Sequence, residues 1–138
     1  MDEQVFSPGE LCGPYRIVKL LGCGGFAEVY LGVNDEAKMN VAIKCLRYCH
    51  VKNARNIKRL AAETEILCEL DHPNIDQVED AGLDKGVVWL AMEYLPGQTL
   101  RQLIRRARGP LPPSLALYYA TRIADGVGAA HALNVVHR

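Results

Sequence analysis

The chain lacks a net charge and a long apolar run. Its 138 residues include sixteen basic and sixteen acidic side chains, which cancel at neutral pH. No overall field therefore draws it to nucleic acid or to an anionic membrane, and we expect no nucleic-acid partner. No stretch approaches the roughly 18 uninterrupted apolar residues of a membrane span, so we expect no membrane segment in this chain.

The amino terminus also lacks the features of a secretory leader. Residues Met1 to Gln4 include two acidic side chains, and neither a cationic start nor a continuous apolar run follows them. A signal peptide needs both of those features. We therefore expect a cytoplasmic protein, and a membrane anchor later in a longer parent stays compatible with this sequence.

Cysteine is present in an odd number, and its spacing is not that of a disulfide framework. The five cysteines are scattered along a chain without an export signal, which favours reduced thiols. Three of them and one histidine make a four-ligand zinc set on paper, namely Cys45, Cys49, Cys68 and His72. The spacing is looser than in common zinc sites, and each cysteine fits as a small core residue, so we expect no metal site.

Alternation of apolar and polar side chains predicts five strands. Tyr15 to Leu21 alternates before a glycine-rich turn, Val29 to Val33 alternates after it, and Val41 to Leu46 begins a further strand. These three should form an antiparallel set. Two more short strands are predicted at Ile75 to Ala81 and Val87 to Met92, separated by a turn.

Helical periodicity appears in three other segments. Between Asn53 and Leu70, apolar residues recur at three- and four-residue steps among charged neighbours, and the helix should end before Pro73. Thr99 to Gln102 has the spacing of a capping box, which predicts the start of a short helix. A longer helix should begin near Pro113 and carry one apolar side as far as Ala130. The composition thus changes near Pro96 from strand-rich to helical, where we place a lobe boundary.

A glycine-rich turn carries the first chemical signal. The segment Gly22-Cys23-Gly24-Gly25-Phe26-Ala27-Glu28-Val29 places glycines where a hairpin would bend with positive backbone torsions and let amide hydrogens approach a polyphosphate. A dinucleotide-binding turn would need a helix next, but Val29 to Val33 continues as a strand, which disfavours that alternative. An ordinary hairpin without a ligand remains an even alternative on this segment alone.

Lys44 and Glu63 carry the second signal. Lys44 closes the strand segment that begins at Val41, and a cation among apolar strand residues needs an anionic partner if it points inward. Glu63 lies on the intervening helix, where its carboxylate could fix the ammonium for binding phosphate oxygens. The plainer alternative makes Lys44 a snorkelling surface lysine and Glu63 a solvated helix charge. The order of glycine turn, lysine and glutamate favours the first interpretation.

With these residues in this order, the chain resembles the protein kinase family, specifically the eukaryotic-like serine/threonine kinases common in bacteria. The resemblance runs from about Gly13 to the last residue. Its matching segments are Gly22 to Val29, Val41 to Lys44, Glu63, His72 to Ile75, Met92 to Leu95 and His137-Arg138. It implies an α+β fold: a kinase-like N-lobe with a five-stranded antiparallel sheet and one main helix, then the first helices of an incomplete α-helical C-lobe.

In this interpretation residues 1–14 are an N-terminal extension, residues 15–95 are the N-lobe with its hinge, and residues 96–138 begin the C-lobe. The resemblance implies ATP as cosubstrate and Mg²⁺ as cofactor, with Lys44, supported by Glu63, holding phosphates. The implied ATP-binding set is Leu21, Gly22, Cys23, Gly24, Gly25, Phe26, Ala27, Glu28, Val29, Ala42, Lys44, Met92, Glu93 and Leu95.

Within that set the resemblance assigns the adenine end as well. Val29 and Ala42 would cover the ring, and backbone groups of Glu93 and Leu95 would read its edge. Met92 would close the rear of the pocket. The same resemblance stacks Leu67, Val78 and His137 into an apolar column that links the two lobes of the family.

Two positions depart from the family pattern. Ala27 stands where the third glycine of the loop is usual, which predicts weaker phosphate closure. Asp76 stands where the family places a small apolar residue, which predicts a local cost in stability if it faces the core. Cys23 is expected to be an inert, exposed thiol.

The catalytic loop of the family opens at His137-Arg138, and the proton acceptor and metal ligands would follow these residues. We therefore expect the N-terminal part of a truncated kinase, which binds ATP but transfers no phosphate by itself. In the intact parent the γ-phosphate would pass to serine or threonine of a protein substrate. The alternatives are a nucleotide-binding pseudokinase, a regulatory interaction module and an inert fragment. The helix from Pro113 to Ala130 should leave its apolar side exposed and make the chain prone to association.

Overall fold

A computed structural model describes the backbone of residues 4–47 and 54–135, without the side chains at positions 56, 59, 60, 63 and 67. The described elements are β1 (Leu11–Cys12), β2 (Tyr15–Cys23), β3 (Ala27–Asn34), β4 (Met39–Leu46), α1 (Ala54–Glu69), β5 (Val78–Asp84), β6 (Val87–Glu93), α2 (Leu100–Arg106) and α3 (Pro113–Ala132). By internal contacts the chain forms two compact units. The first comprises Met1–Glu69 and Asp76–Tyr94, and the second comprises Leu70–Ile75 and Leu95–Arg138.

The first unit is built on an antiparallel sheet with the strand order β1-β2-β3-β4-β6-β5. The predicted fold class is confirmed, with one strand more than expected. The added strand β1 lies within the segment that the sequence indicated only as an extension. A two-residue strand has no measurable alternation, so its pairing with Tyr15 and Arg16 could not be read from periodicity.

Strand β5 begins later than predicted. The sequence placed its start at Ile75, but Ile75 donates its N–H to the carbonyl of His72 at 3.0 Å. Asn74 donates its N–H to Nδ1 of the same histidine at 3.1 Å. These bonds form a turn at residues 72–75. The backbone N–H groups that a strand would need are used in this turn, so β5 starts at Val78.

One face of the sheet is buried along β3 and β4, and we call it the core face. In β3 and β4 every second residue is buried, as expected when one side of a strand contacts a core. The buried hydrophobic cluster includes Tyr30, Ile43 and Trp89 from the strands, together with Val5 and Phe6 from the chain start. The N-terminal segment therefore completes the core of the first unit.

Helix α1 contacts β4, β5 and β6. Its observed bounds, Ala54–Glu69, agree with the periodicity that predicted a helix from 53 to 70. The proline at position 73 limits its length, because the residues before a proline disfavour helical backbone.

The second unit is helical in the described residues that follow Tyr94. Thr99 begins α2 with the predicted capping box: its hydroxyl accepts the Gln102 N–H at 3.2 Å, and the Gln102 side chain accepts the Thr99 N–H at 2.8 Å. Helix α3 has a proline in its first turn and buries only Gly126, whose missing Cβ would stand 3.0 Å from the carbonyl oxygen of Asn74. Apolar side chains of α3 are exposed, as expected: Leu117, Tyr118, Ile123 and Val127. Within the described ranges, no helix combines the length and hydropathy required to cross a membrane.

Candidate nucleotide site

The cross-strand register brings several predicted residues together on the second face of the sheet, opposite the core face. Lys44 in β4 lies directly between Val29 in β3 and Leu90 in β6. The next row of the same face joins Ala42 to Leu31 on one side and to Met92 on the other. Directly opposed residues of antiparallel strands project to the same side, so Lys44, Val29, Ala42 and Met92 share this face.

We call this surface the lysine face. Val29, Ala42, Lys44 and Met92 are each half-buried and Leu90 is buried, whereas Tyr30, Ile43 and Ala91, which alternate with them on the core face, are all buried. An apolar wall beside one cation therefore remains partly accessible within the first unit. This arrangement suits a ligand with a flat apolar part and an anionic part.

The glycine turn lies next to this face. Gly22 pairs with Val29 across β2 and β3, and the Gly24 N–H donates to the Ala27 carbonyl at 2.8 Å to close the turn. The chain then continues into β3 rather than into a helix. The dinucleotide-binding alternative is therefore wrong, because it requires a helix N-terminus at this point.

The expected reason for the glycines needs correction. The glycines of the chain with positive φ are Gly9, Gly13, Gly86 and Gly97, so the turn does not rest on positive torsions at 22, 24 or 25. The strand accommodates its bend through a register shift between Leu20 and Gly22 instead. A Cβ built on Gly22 or Gly25 would meet no described atom within 4 Å. Neither backbone strain nor packing among the described residues requires glycine there, which leaves room for the close approach of a ligand.

The side chain of Glu28 does not lie on the lysine face. Glu28 was placed in the ATP-binding set, but it is opposed to Cys45, and its carboxylate is buried with Tyr30. Any contact of Glu28 with a ligand beside Lys44 would therefore have to come from its backbone. The sequence signal for this orientation was alternation itself, since Glu28 is two residues from the buried Tyr30.

The remaining residues of the turn are open to solvent or partly so. Leu21, Cys23 and Phe26 are exposed, and Ala27, which replaces the usual glycine, is half-buried. The exposed Cys23 lies with its sulfur 3.7 Å from the Gly24 carbonyl oxygen.

The segment expected to be a hinge spans the division between the two units. Met92 is the last predicted hinge residue on the lysine face, and the Glu93 N–H donates to the Gln77 carbonyl at 2.9 Å. Because this N–H already has a partner, the carbonyl is the backbone group of Glu93 that could form a hydrogen bond with the edge of a ligand. Leu95 is exposed and belongs to the second unit.

Several predicted residues lie outside what the structure describes. The side chain of Glu63 is one of them, so its pairing with Lys44 stays a prediction, although α1 contacts β4. His137 and Arg138 also lie outside the described residues, as does the side chain of Leu67. Of the predicted apolar column only Val78 is described; it is half-buried and opposed to Met92.

Titratable groups of the first unit show two different environments. Burial raises the pKa of the Cys12 thiol to about 12, so this cysteine is an inert core residue. Asp76 is exposed and does not face the core, but partial desolvation, followed by the charge of Glu93, raises its pKa. Among the described residues no group of three histidine, cysteine, aspartate or glutamate side chains could hold a metal ion, and Cys49 lies outside that range.

Comparison with known proteins agrees with this geometry. The family model described as protein kinase domain matches residues 15–138. The chain is 37% identical over 128 residues to the serine/threonine-protein kinase PrkC of Bacillus subtilis, covering 93% of this chain and 20% of that protein. It is 34% identical over 137 residues to the serine/threonine-protein kinase PknH of Mycobacterium bovis, covering 99% and 23%.

The fold of the chain is also similar to that of solved structures. A crystal structure of the Mycobacterium tuberculosis PknI kinase domain superposes with a TM-score of 0.82 at 30% sequence identity, covering 97% of this chain and 54% of that one. The chain belongs to the protein kinase family. It spans about a fifth of the length of these curated relatives and about half of the solved kinase domain.

Proposed function

We propose that this chain binds ATP on the lysine face, and that within a complete kinase domain this binding serves transfer of the γ-phosphate to serine or threonine of a protein substrate. The observation that carries the proposal is the position of the half-buried Lys44 between the half-buried Val29 and the buried Leu90, beside the glycine turn. The relatives named as serine/threonine-protein kinases support the acceptor class.

The residues present fit a nucleotide. Val29 and Ala42 offer apolar surface for the adenine ring, and Met92 lies behind Ala42 in the next strand. The Glu93 carbonyl is the proposed reader of the edge of the ring, and the role that the resemblance implies for Leu95 stays a prediction. The open space above Gly22 and Gly25 lets phosphates approach backbone amides.

The Lys44 ammonium supplies a positive charge for the phosphates, and we propose that Glu63 orients it. In phosphoryl transfer such positioning and charge neutralisation provide most of the catalysis. Magnesium fits this chain less well than the nucleotide does, because the described residues contain no acidic cluster able to hold it. We therefore derive no step through the metal, which ordinarily accompanies ATP.

The chain covers about half of the solved kinase domain, and its sequence contains no Asp-Phe-Gly segment. We propose that this chain binds ATP without transferring phosphate, in the cytoplasm, where ATP is supplied and thiols stay reduced.

The test combines binding and turnover. The 138-residue chain should be titrated with ATP and magnesium while its thermal unfolding is followed; at a ligand concentration of about a hundred times Kd the nucleotide should add about 2.7 kcal/mol of stability. Lys44→Met should abolish most of this gain. Lys58→Met, which removes an exposed lysine of α1, should keep it.

Labelled ATP and generic protein substrates should give no turnover above the Lys44→Met background. Equal stabilisation of all three chains, or none in the wild type, would refute the nucleotide site. Turnover by the wild type alone would refute the claim of binding without transfer.

A further inference from the structure

Glu28 is a buried carboxylate at the base of the glycine turn. It is 2% exposed, and its two oxygens have different partners. Oε2 accepts the backbone N–H of Val5 at 3.0 Å and the hydroxyl of Tyr30. Oε1 faces the guanidinium of Arg47, whose Nε lies 3.8 Å away, and also accepts the thiol of Cys23 in the glycine turn, with a sulfur–oxygen distance of 4.0 Å. Burial of a carboxylate is costly unless such partners compensate it, so this network has one favoured arrangement.

Arg47 connects that carboxylate to the tip of the glycine turn. Its backbone N–H donates to the Phe26 carbonyl at 3.1 Å, and its Nη1 donates to the Gly24 carbonyl at 3.4 Å. Arg47 therefore holds two carbonyl groups of the turn. It is also three residues beyond Lys44, just after the end of β4. The network thus fixes the turn relative to the strand that carries the lysine.

The third part of the network is the N-terminal strap, by which we mean residues 4–10. Phe6 donates its N–H to the Tyr30 hydroxyl at 3.2 Å, and its ring meets the ring of Tyr30 edge to face at 6.0 Å. At the other end of the strap, Glu10 pairs with Lys85 at 2.9 Å. The strap is therefore held at Phe6 and at Glu10, and the N–H of Val5, one residue before Phe6, reaches Glu28.

We propose that Glu28 is a positioning residue for the nucleotide site: through Arg47 it holds the glycine turn in place beside Lys44, and the N-terminal strap keeps Glu28 in that position. This rests on the proposed function for its consequence in binding. A ligand with phosphates depends on the turn, whereas a nucleoside without phosphates does not. Loss of the network should therefore weaken ATP selectively.

The first arm of the test compares two ligands. ATP and adenosine are titrated, below the melting temperature, into the wild type, Glu28→Gln and Arg47→Gln. Both variants should lower the affinity for ATP by at least about fivefold, which is the lower end of ordinary couplings between sites. The affinity for adenosine should stay unchanged. Arg47→Gln keeps Glu28 with Val5 and Tyr30, and so covers the case in which Glu28→Gln fails to fold.

The matched control is the exposed pair of Arg16 and Asp35, joined by hydrogen bonds of 2.6 and 2.8 Å between β2 and the end of β3. Asp35→Asn should leave both affinities as in the wild type. If the network variants lost affinity for ATP and for adenosine equally, Glu28 would only stabilise the fold. That result would overturn the proposal.

The second arm does not depend on nucleotide. Amide hydrogen exchange of residues 22–29 should accelerate in Glu28→Gln and Arg47→Gln, and also in Val5→Pro, which removes the donor that the strap offers to Glu28. Asp35→Asn should show the wild-type rate. Wild-type exchange in both network variants would overturn the proposal even if ATP binds. Faster exchange in a chain that binds no ATP would keep the link between Glu28 and the turn and refute only the nucleotide site.

Discussion

At the scale of single residues, the glycines of this chain differ in the space that surrounds their Cα atoms. The indole ring of Trp89 lies against Gly13 and Gly82; a Cβ on either glycine would stand 2.5 or 2.6 Å from its Cζ2 atom. The ring of Tyr15 meets Trp89 edge to face at 5.8 Å, so the indole has little room to move. Gly25, by contrast, has open space above it.

We predict that Gly82→Ala lowers the free energy of unfolding by about 1 to 3 kcal/mol, because a rigid ring must shift to accept the methyl group. Gly25→Ala should leave stability unchanged or raise it by up to about 1 kcal/mol, since it only restricts the unfolded chain. Urea denaturation of both variants measures the difference. Equal effects of the two substitutions would contradict the packing described for Trp89.

Two aspartates of the first unit should affect stability in opposite directions as the pH changes. Desolvation and then the charge of Glu93 raise the pKa of Asp76 in the folded chain. Its ionised carboxylate therefore destabilises the folded chain once the pH rises above the ordinary carboxyl pKa of about 3.9. The hydrogen bond from Arg16 lowers the pKa of Asp35, so its contribution is present above that value and is lost as the pH falls through the lowered pKa.

Asp76→Asn should therefore stabilise the chain at pH 7, and its advantage should shrink toward pH 4. Asp35→Asn should destabilise the chain at pH 7, also with a shrinking effect toward acid pH. Urea midpoints measured between about pH 2 and pH 8 give both differences, because the effect of Asp35 is lost only below the ordinary carboxyl pKa. The same sign for the two variants at pH 7 would contradict this account.

At the scale of elements, the N-terminal segment is the part that periodicity missed. Phe6 is 0% exposed and closes the core face, whereas Phe26 at the glycine turn is 55% exposed. The two phenylalanines of the chain thus make a matched pair. We predict that Phe6→Ala lowers the free energy of unfolding by about 3 kcal/mol, as for other large core truncations.

Phe26→Ala should change stability by less than about 0.5 kcal/mol, as expected for an exposed side chain. Thermal and urea denaturation of both variants provide the measurement. If Phe6→Ala matched Phe26→Ala, residues 4–10 would not be part of the folded unit.

Alternation predicted β2, β3, β4 and β6 and the antiparallel arrangement, and helical spacing with a capping box predicted α1, α2 and α3. The element that differed most in position was β5, because Ile75 looked apolar enough for a strand but is held in the turn of His72. A local pattern of side chains gives no sign that two backbone donors are already used.

Side-chain patterns in the sequence also predicted only part of the candidate site. The family resemblance assigned Val29, Ala42 and Lys44 to one site, and the strand register brings the three residues to one face of the sheet. Alternation with Tyr30 puts Glu28 on the core face, but the burial of its carboxylate could not be predicted in the same way, since its partner Val5 lies 23 residues away. A charged residue in a strand is ordinarily solvated, so only the arrangement of the N-terminal strap shows that this one is buried.

At the scale of the whole molecule, exposed apolar surface should govern behaviour in solution. Leu117 is 69% exposed and Ile123 is 52% exposed, on the apolar side of α3. Contiguous apolar patches of this kind promote association. We predict that the chain self-associates with rising concentration, and that Leu117→Gln combined with Ile123→Gln shifts it toward monomer without loss of helix.

Sedimentation velocity over a concentration series tests this expectation. Leu83→Gln is the control, because Leu83 is 70% exposed but isolated on β5 of the first unit. Association that persists in the double variant, or that Leu83→Gln removes equally, would contradict the role of α3.

The central claim is that nucleotide binds the lysine face and not the core face. Methyl-labelled NMR of the 138-residue chain with ATP carrying paramagnetic Mn²⁺ tests it directly, because broadening falls steeply with distance from the metal. We predict stronger broadening of the Val29 and Ala42 methyl signals than of those of Val41 and Ile43, which are buried on the core face of the same sheet. Broadening that is equal on both faces, or confined to Val41 and Ile43, would contradict it.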